Sequence, residues 1–191
     1  MFAYVEDVSA WEPWQRDYRY GALYVFPPPG VIEPVDTLRA RYDPVSAATC
    51  QAHISFSEPL PGPLRDESLD ELAATCQGFA AFDVAYGPLR TFLPHPGVVY
   101  EIQPQDRLRA LCDALHATSP FSGVVPKRGD VAFHMTIAEL ISVDRTSELV
   151  SELAGRVPQG VFRCQAVEYA LPDAGFRFRR LALLPLGRGS G

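Results

Sequence analysis

Two short stretches with the same grammar constrain this chain more than any other feature. "AHISFSEPL", residues 52–60, and "FHMTIAEL", residues 133–140, each set a histidine and then a hydroxyl into an apolar alternation. In a strand, side chains two residues apart share a face. His53 and Ser55 therefore lie together, opposite Ile54 and Phe56, and His134 lies with Thr136, opposite Met135 and Ile137. The segments downstream of the two stretches are also alike. After His53, "DESLDELAATCQGF" (66–79) has helical periodicity, with acidic residues in its first turn and Gly78 to end it, and strand-like runs come next over 79–87 and 97–102. After His134 come a helix over 144–157 and a closing hairpin, 161–171 and 176–186, around "PDAG".

Around these repeats, "GALYVFPPPG" (21–30) reads as a strand stopped by a rigid proline turn. A short helix is predicted over 34–42, and the clearest helix spans 104–117, with Leu108, Leu111, Cys112 and Leu115 as its apolar stripe. The order is β-α-β-α-β-β-α-β-α-β-β. It predicts an α+β fold that is bilobal, with duplicated βαββ-type lobes and antiparallel sheets around a central cleft lined by the two H-x-[S/T] strands. The expected division is a single domain over 20–186 with lobes at roughly 45–103 and 130–186. An N-terminal extension, 1–19, precedes it as an added strand or hairpin whose Trp11 and Trp14 cover part of the core. A flexible tail, 187–191, ends the chain.

Composition narrows the classes of function. With 47% hydrophobic and 21% charged residues the chain is an ordinary globular one. No apolar run is long enough for a membrane span, and the first residues lack the basic and apolar regions of a signal peptide, so no membrane partner and a cytoplasmic location are expected. Four cysteines, Cys50, Cys76, Cys112 and Cys164, form no C-x-x-C pair and read as buried thiols. The formal net charge is −6, and a single lysine, Lys127, stands among 17 basic residues, which disfavours non-specific binding to long nucleic acid. A local basic pocket remains open: Lys127 and Arg128 precede the second motif, and Arg177 and Arg179 share a strand face.

Two units of imidazole and hydroxyl on one face, converging across a cleft, suit the chemistry of a phosphodiester. Neutral imidazole takes a proton from water, imidazolium gives one to a leaving oxygen, and hydroxyls hold the non-bridging oxygens as charge develops. No metal or other cofactor is called for, since neither H-x-H nor H-E-x-x-H occurs. The bland alternative is two strands with polar outer faces. The other histidines have simpler explanations, His95 in a proline-flanked loop and His116 at a helix C-terminus. Tyr86, Phe92 and Tyr100 are expected to pack in the core.

"HISF" at 53–56 and "HMTI" at 134–137 resemble the paired H-x-[S/T]-x signature of the 2H phosphoesterases, the superfamily of 2′-5′ RNA ligase-like proteins and cyclic phosphodiesterases. "ALYVFPPP" resembles its opening strand and proline turn, and the likeness runs over roughly 20–186. Ser55 stands where threonine is commoner. The resemblance implies catalytic His53 and His134, with Ser55 and Thr136 on the substrate phosphate. The implied substrate is a cyclic nucleotide, or RNA with a cyclic phosphate end, acted on by a monomer. Either histidine can take either role, and His134 as base with His53 as acid is the preferred order. A non-catalytic nucleotide-binding module with the same cleft is the alternative from a different class.

Overall fold

A computed structural model of the chain describes residues 2–92, 94–126, 131–139 and 141–188. Among these residues the strands are β1 (Ala22–Val25), β2 (Ile54–Ser55), β3 (Phe82–Thr91), β4 (Val98–Gln103), β5 (His134–Ala138), β6 (Gly160–Cys164), β7 (Ala166–Pro172) and β8 (Phe178–Pro185). The helices are α1 (Pro13–Arg16), α2 (Pro29–Tyr42), α3 (Pro44–Thr49), α4 (Asp66–Gln77), α5 (Gln105–His116) and α6 (Val143–Leu153). All eight strands join in one antiparallel sheet of order β6-β3-β4-β5-β2-β1-β7-β8. Each half of that sheet draws strands from both halves of the chain. The two histidine strands, β2 and β5, meet at its middle.

The longer helices α2, α4, α5 and α6 bury apolar side chains in the core. In α5, Leu108, Leu111, Cys112 and Leu115 are buried, each leucine contributing about 1.5–3 kcal/mol on leaving water. Their core includes Ile54, Met135 and Ile137 from the buried side of the central strands. Among the described residues no helix is long and apolar enough to cross a membrane. All four cysteines are free and buried, and loss of solvation pushes Cys50, Cys76 and Cys112 up to about 12, so they stay protonated.

Several local expectations shift. The first long helix begins at Pro29 rather than 34, because proline at the first helical position has its φ already set and no amide to satisfy. Pro34 then sits inside the helix. The strand expected over 161–171 is broken at Gln165: β6 pairs with β3 at one edge, while β7 pairs with β1 and forms the closing hairpin with β8. The N-terminal segment forms no strand among its described residues. It carries the single turn α1, and Trp11 is buried, its indole N–H donating to Ala174 at 3.1 Å, while Trp14 is 59% exposed. Gly187 is tied back to Phe79 and Ala81 by backbone hydrogen bonds, and the end of the expected tail, 189–191, lies outside the described residues.

Candidate active site

The register at the sheet centre sets the geometry. Ile54 lies opposite Met135, both fully buried on the helix side. Continuing that antiparallel pairing by one residue each way sets Ser55 opposite His134 and His53 opposite Thr136, all on the other face. All four are half-buried. The imidazoles occupy one diagonal of a four-residue rectangle and the hydroxyls the other, with diagonal neighbours about 7–8 Å apart. Each hydroxyl thus faces the histidine of the other motif. The structure brings together all four residues that the sequence singles out.

Both rings are oriented in the same way. His53 Nδ1 lies 2.6 Å from the carbonyl oxygen of Gln51, and His134 Nδ1 lies 2.8 Å from that of Ala132. A carbonyl only accepts, so each Nδ1 carries a proton, and in the neutral ring the lone pair is on Nε2. Protons therefore enter and leave at Nε2 in both residues.

A helix holds the backbone that supplies each carbonyl. Beside His53, the buried Arg39 of α2 donates to the carbonyls of Ser46 and Cys50 at 3.0 Å each, and Asp36 accepts the Ala52 amide at 2.8 Å. Burial raises the Asp36 carboxyl, opposed by that amide and by Arg39 at 3.6 Å. Beside His134, Gln105 of α5 exchanges two bonds of 2.8 Å with the Phe133 backbone, and Arg109 donates to the Val131 carbonyl at 2.8 Å.

The walls of the cleft are aromatic and charged. Tyr24 packs edge-on to His53 at 4.9 Å and Phe26 lies at 5.9 Å, while Phe92 packs on His134 at 4.4 Å and stacks with His95 at 6.3 Å. Tyr86 and Tyr100 are buried in the core as expected, whereas Phe92 is only half-buried and belongs to the site. Glu101, opposite His134, pairs with Arg90 at 3.1 Å. Glu168, opposite Tyr24, takes two bonds of 2.6 Å from Arg180, which lies over the Phe26 ring at 4.7 Å. Arg179, one of the arginines that alternation picks out, instead pairs with Asp173 in the hairpin turn. A register shift between Tyr169 and Ala170 breaks simple alternation along this hairpin. Lys127 and Arg128 lie outside the described residues.

A cavity of about 240 Å³ opens beside Ser55 and His134 and runs to α5, where Glu58, Arg109, Cys112 and His116 line it. Here the sequence holds a signal that the two tetrapeptides do not include: each motif is closed by a glutamate five residues after its histidine, Glu58 in "HISFSE" and Glu139 in "HMTIAE". Both backbone amides at these glutamates bond to a side chain from a distant helix or helix cap. Ser57 is scaffold, its hydroxyl accepting from the Leu23 amide and donating to the Glu58 carbonyl. Among the described residues no group of three His, Cys, Asp or Glu side chains is placed to hold a metal ion.

Known proteins share this arrangement of strands and helices. No curated protein matches the chain. Crystal structures do: E. coli LigT in its apo form, at 14% identity and a TM-score of 0.56, covers 87% of this chain and 96% of its own. E. coli LigT complexed with 3′-AMP matches at 16% identity and a TM-score of 0.58, covering 86% and 96%. A structure described as a phosphoesterase matches at 16% identity and a TM-score of 0.57, covering 87% and 97%. These likenesses establish the fold, and a model of one family matches residues 27–189, which hold both histidine motifs and all eight strands but the first. The chain belongs to the 2′-5′ RNA ligase superfamily.

Proposed function

We propose that this protein is a metal-independent cyclic phosphodiesterase that opens 2′,3′-cyclic phosphates of nucleotides or RNA ends. The observation that carries the reading is the crossed rectangle, in which two imidazoles with Nδ1 fixed on backbone carbonyls stand diagonally across two hydroxyls. A cyclic phosphate seated between them meets a nitrogen base on one side and a nitrogen acid on the other, as an in-line displacement requires. His134 Nε2 takes a proton from water, and the resulting hydroxide attacks phosphorus. The bond from phosphorus to one ribose oxygen breaks, and protonated His53 gives its Nε2 proton to that oxygen. The product is a phosphomonoester beside a ribose hydroxyl, and proton exchange with solvent resets the pair. Ser55 and Thr136 donate to the non-bridging oxygens while charge builds there. Family membership supports a phosphoesterase reading, and E. coli LigT has been crystallised with 3′-AMP and with ATP, so nucleotide ligands suit the fold.

The test is a panel of 2′,3′-cyclic nucleotides and RNA oligomers with cyclic ends, assayed in EDTA. Turnover that survives the chelator, with a bell-shaped pH profile, is the expected result. Tight binding of nucleoside monophosphates with no product would replace the enzyme by a binding module.

A further inference from the structure

β2 is only two residues long, and among the described residues it has no strand partner beyond Ser55 on its β5 side, because β5 begins at His134. The Phe56 carbonyl and the Glu58 amide bond to α5 instead. Two side chains one turn apart on α5 receive them. Cys112 Sγ donates to the Phe56 carbonyl at 3.0 Å, and His116 Nε2 accepts the Glu58 amide at 3.1 Å. The thiol supplies the donor and the imidazole the acceptor that the N–H and C=O of a neighbouring strand would otherwise supply. His116 Nδ1 lies 3.6 Å from Cys112 Sγ, so its proton points at the sulfur and the ring is the Nδ1–H tautomer. The other motif ends differently: the Glu139 amide is taken by the Asp43 carboxylate at 2.9 Å.

We propose that His116 is a positioning residue, whose neutral imidazole holds the Glu58 amide and thereby fixes Ser55 opposite His134. The inference rests on the two-histidine reading of the cleft. A carboxylate accepts throughout the neutral range, whereas imidazolium has no lone pair and meets the amide as a second donor. The motif carrying Ser55 is therefore acid-labile in a way that the motif carrying Thr136 is not.

The groups facing His116 are Glu58 after β2, Cys112, Asp113 and Arg109 on α5, the edge of Phe121, and His134 across the cavity. Burial lowers the His116 pKa from its ordinary value of 6.5 and Arg109 acts with it, while Glu58 and Asp113 oppose them. A histidine with a lowered folded-state pKa binds fewer protons folded than unfolded. Its pin is complete above about 6.5 and is lost as pH falls toward the lowered value.

Two measurements on the full chain test this. At about pH 7.5, His116→Leu is expected to lower kcat/KM on a cyclic nucleotide about tenfold, the worth of one hydrogen bond to a buried amide. His116→Gln, which keeps an acceptor at the same reach but does not titrate, is expected to retain at least about half of wild-type kcat/KM. It should also fall less steeply than wild type on the acid side. Independently of turnover, the Glu58 backbone amide resonance should titrate with pH in wild type and stay flat in His116→Gln. A Glu58 amide indifferent to pH in wild type would overturn the proposal, as would equal losses in the Gln and Leu variants. If wild type turns over none of the panel, the phosphodiesterase reading fails, and the amide titration alone decides whether His116 is the pin. Should His116→Leu not fold, the Gln variant and the titration still decide it.

Discussion

The approaches to His53 and to His134 do the same job with different materials. Before His53, an ion pair on α2 with a buried arginine does the holding: Arg39 is almost wholly inaccessible and binds two carbonyls, while the partly exposed Asp36 takes the amide between them and the histidine. Before His134, the neutral Gln105 and the partly exposed Arg109 of α5 do it. The walls repeat the contrast. His53 is flanked by two rings and a doubly bonded Arg180–Glu168 pair, whereas His134 has one half-buried ring and a single, more exposed Arg90–Glu101 contact. The open cavity lies on the His134 side. A motif repeated in the sequence is thus built once as a rigid wall and once as an accessible one. In the proposed mechanism the accessible side is the one assigned the water and the rest of the substrate.

The largest effects test whether both walls are needed. His53→Ala and His134→Ala should each lower kcat/KM about 10²–10⁴-fold, the usual worth of a positioned acid or base. Near-full activity in either variant would break the comparison outright. A phosphodiester with a nitrophenol leaving group sharpens it, since such a group departs without a proton. On that substrate His53→Ala should recover most of its loss and His134→Ala should not. The reverse pattern would exchange the roles of acid and base.

The hydroxyls come next. Because Ser55 faces His134 and Thr136 faces His53, the proposed mechanism has each variant perturb the phosphate beside the other motif's histidine. Ser55→Ala and Thr136→Ala are expected to lower kcat/KM about 10–100-fold, as for one hydrogen bond to a charged oxygen. Ser55→Thr should stay close to wild type. A loss in Ser55→Ala that falls wholly in KM would move Ser55 from stabilising developing charge to holding the ground state.

Most of this site is legible in the sequence, and the reason is periodicity. Strand alternation alone sets His53 with Ser55 and His134 with Thr136, and helical spacing marks the buried stripe of α5 to within a residue. What alternation lacks is the identity of the neighbour. Nothing in 161–171 says that the chain leaves one sheet edge at Cys164, meets β8 from Ala166 and pairs with β1 from Glu168, because both segments have the same period. The pins on Glu58 and Glu139 come from His116 and Asp43, far along the chain, and the sequence shows only the matching glutamates they bind. A register shift hides Arg180, and Phe92 is hidden because a half-buried ring beside a histidine has the same local sequence as a core ring. The three prolines before α2 stop a strand and open a helix at once, and composition signals only the first of these roles.

The smallest effects separate holding the fold from holding the ring. Arg39→Met leaves two buried carbonyls without a donor and Asp36 without its cation, at an expected cost of about 2–4 kcal/mol. For a chain of this length that lowers Tm by about 4–16 °C. Gln105→Ala removes bonds to Ile102 and to both sides of Phe133 but leaves no buried charge, so about 1–2 kcal/mol is expected. Activity should rank the other way below the melting range. Asp36 still takes the Ala52 amide when Arg39 is gone, whereas loss of Gln105 leaves only the partly exposed Arg109 on the segment that carries the Ala132 carbonyl, so His134 is expected to tilt. Thermal melts beside kcat/KM at about 25 °C read both quantities. If Gln105→Ala proves the less stable variant, or Arg39→Met the less active one, then the rigid wall and the accessible wall have been assigned to the wrong histidines.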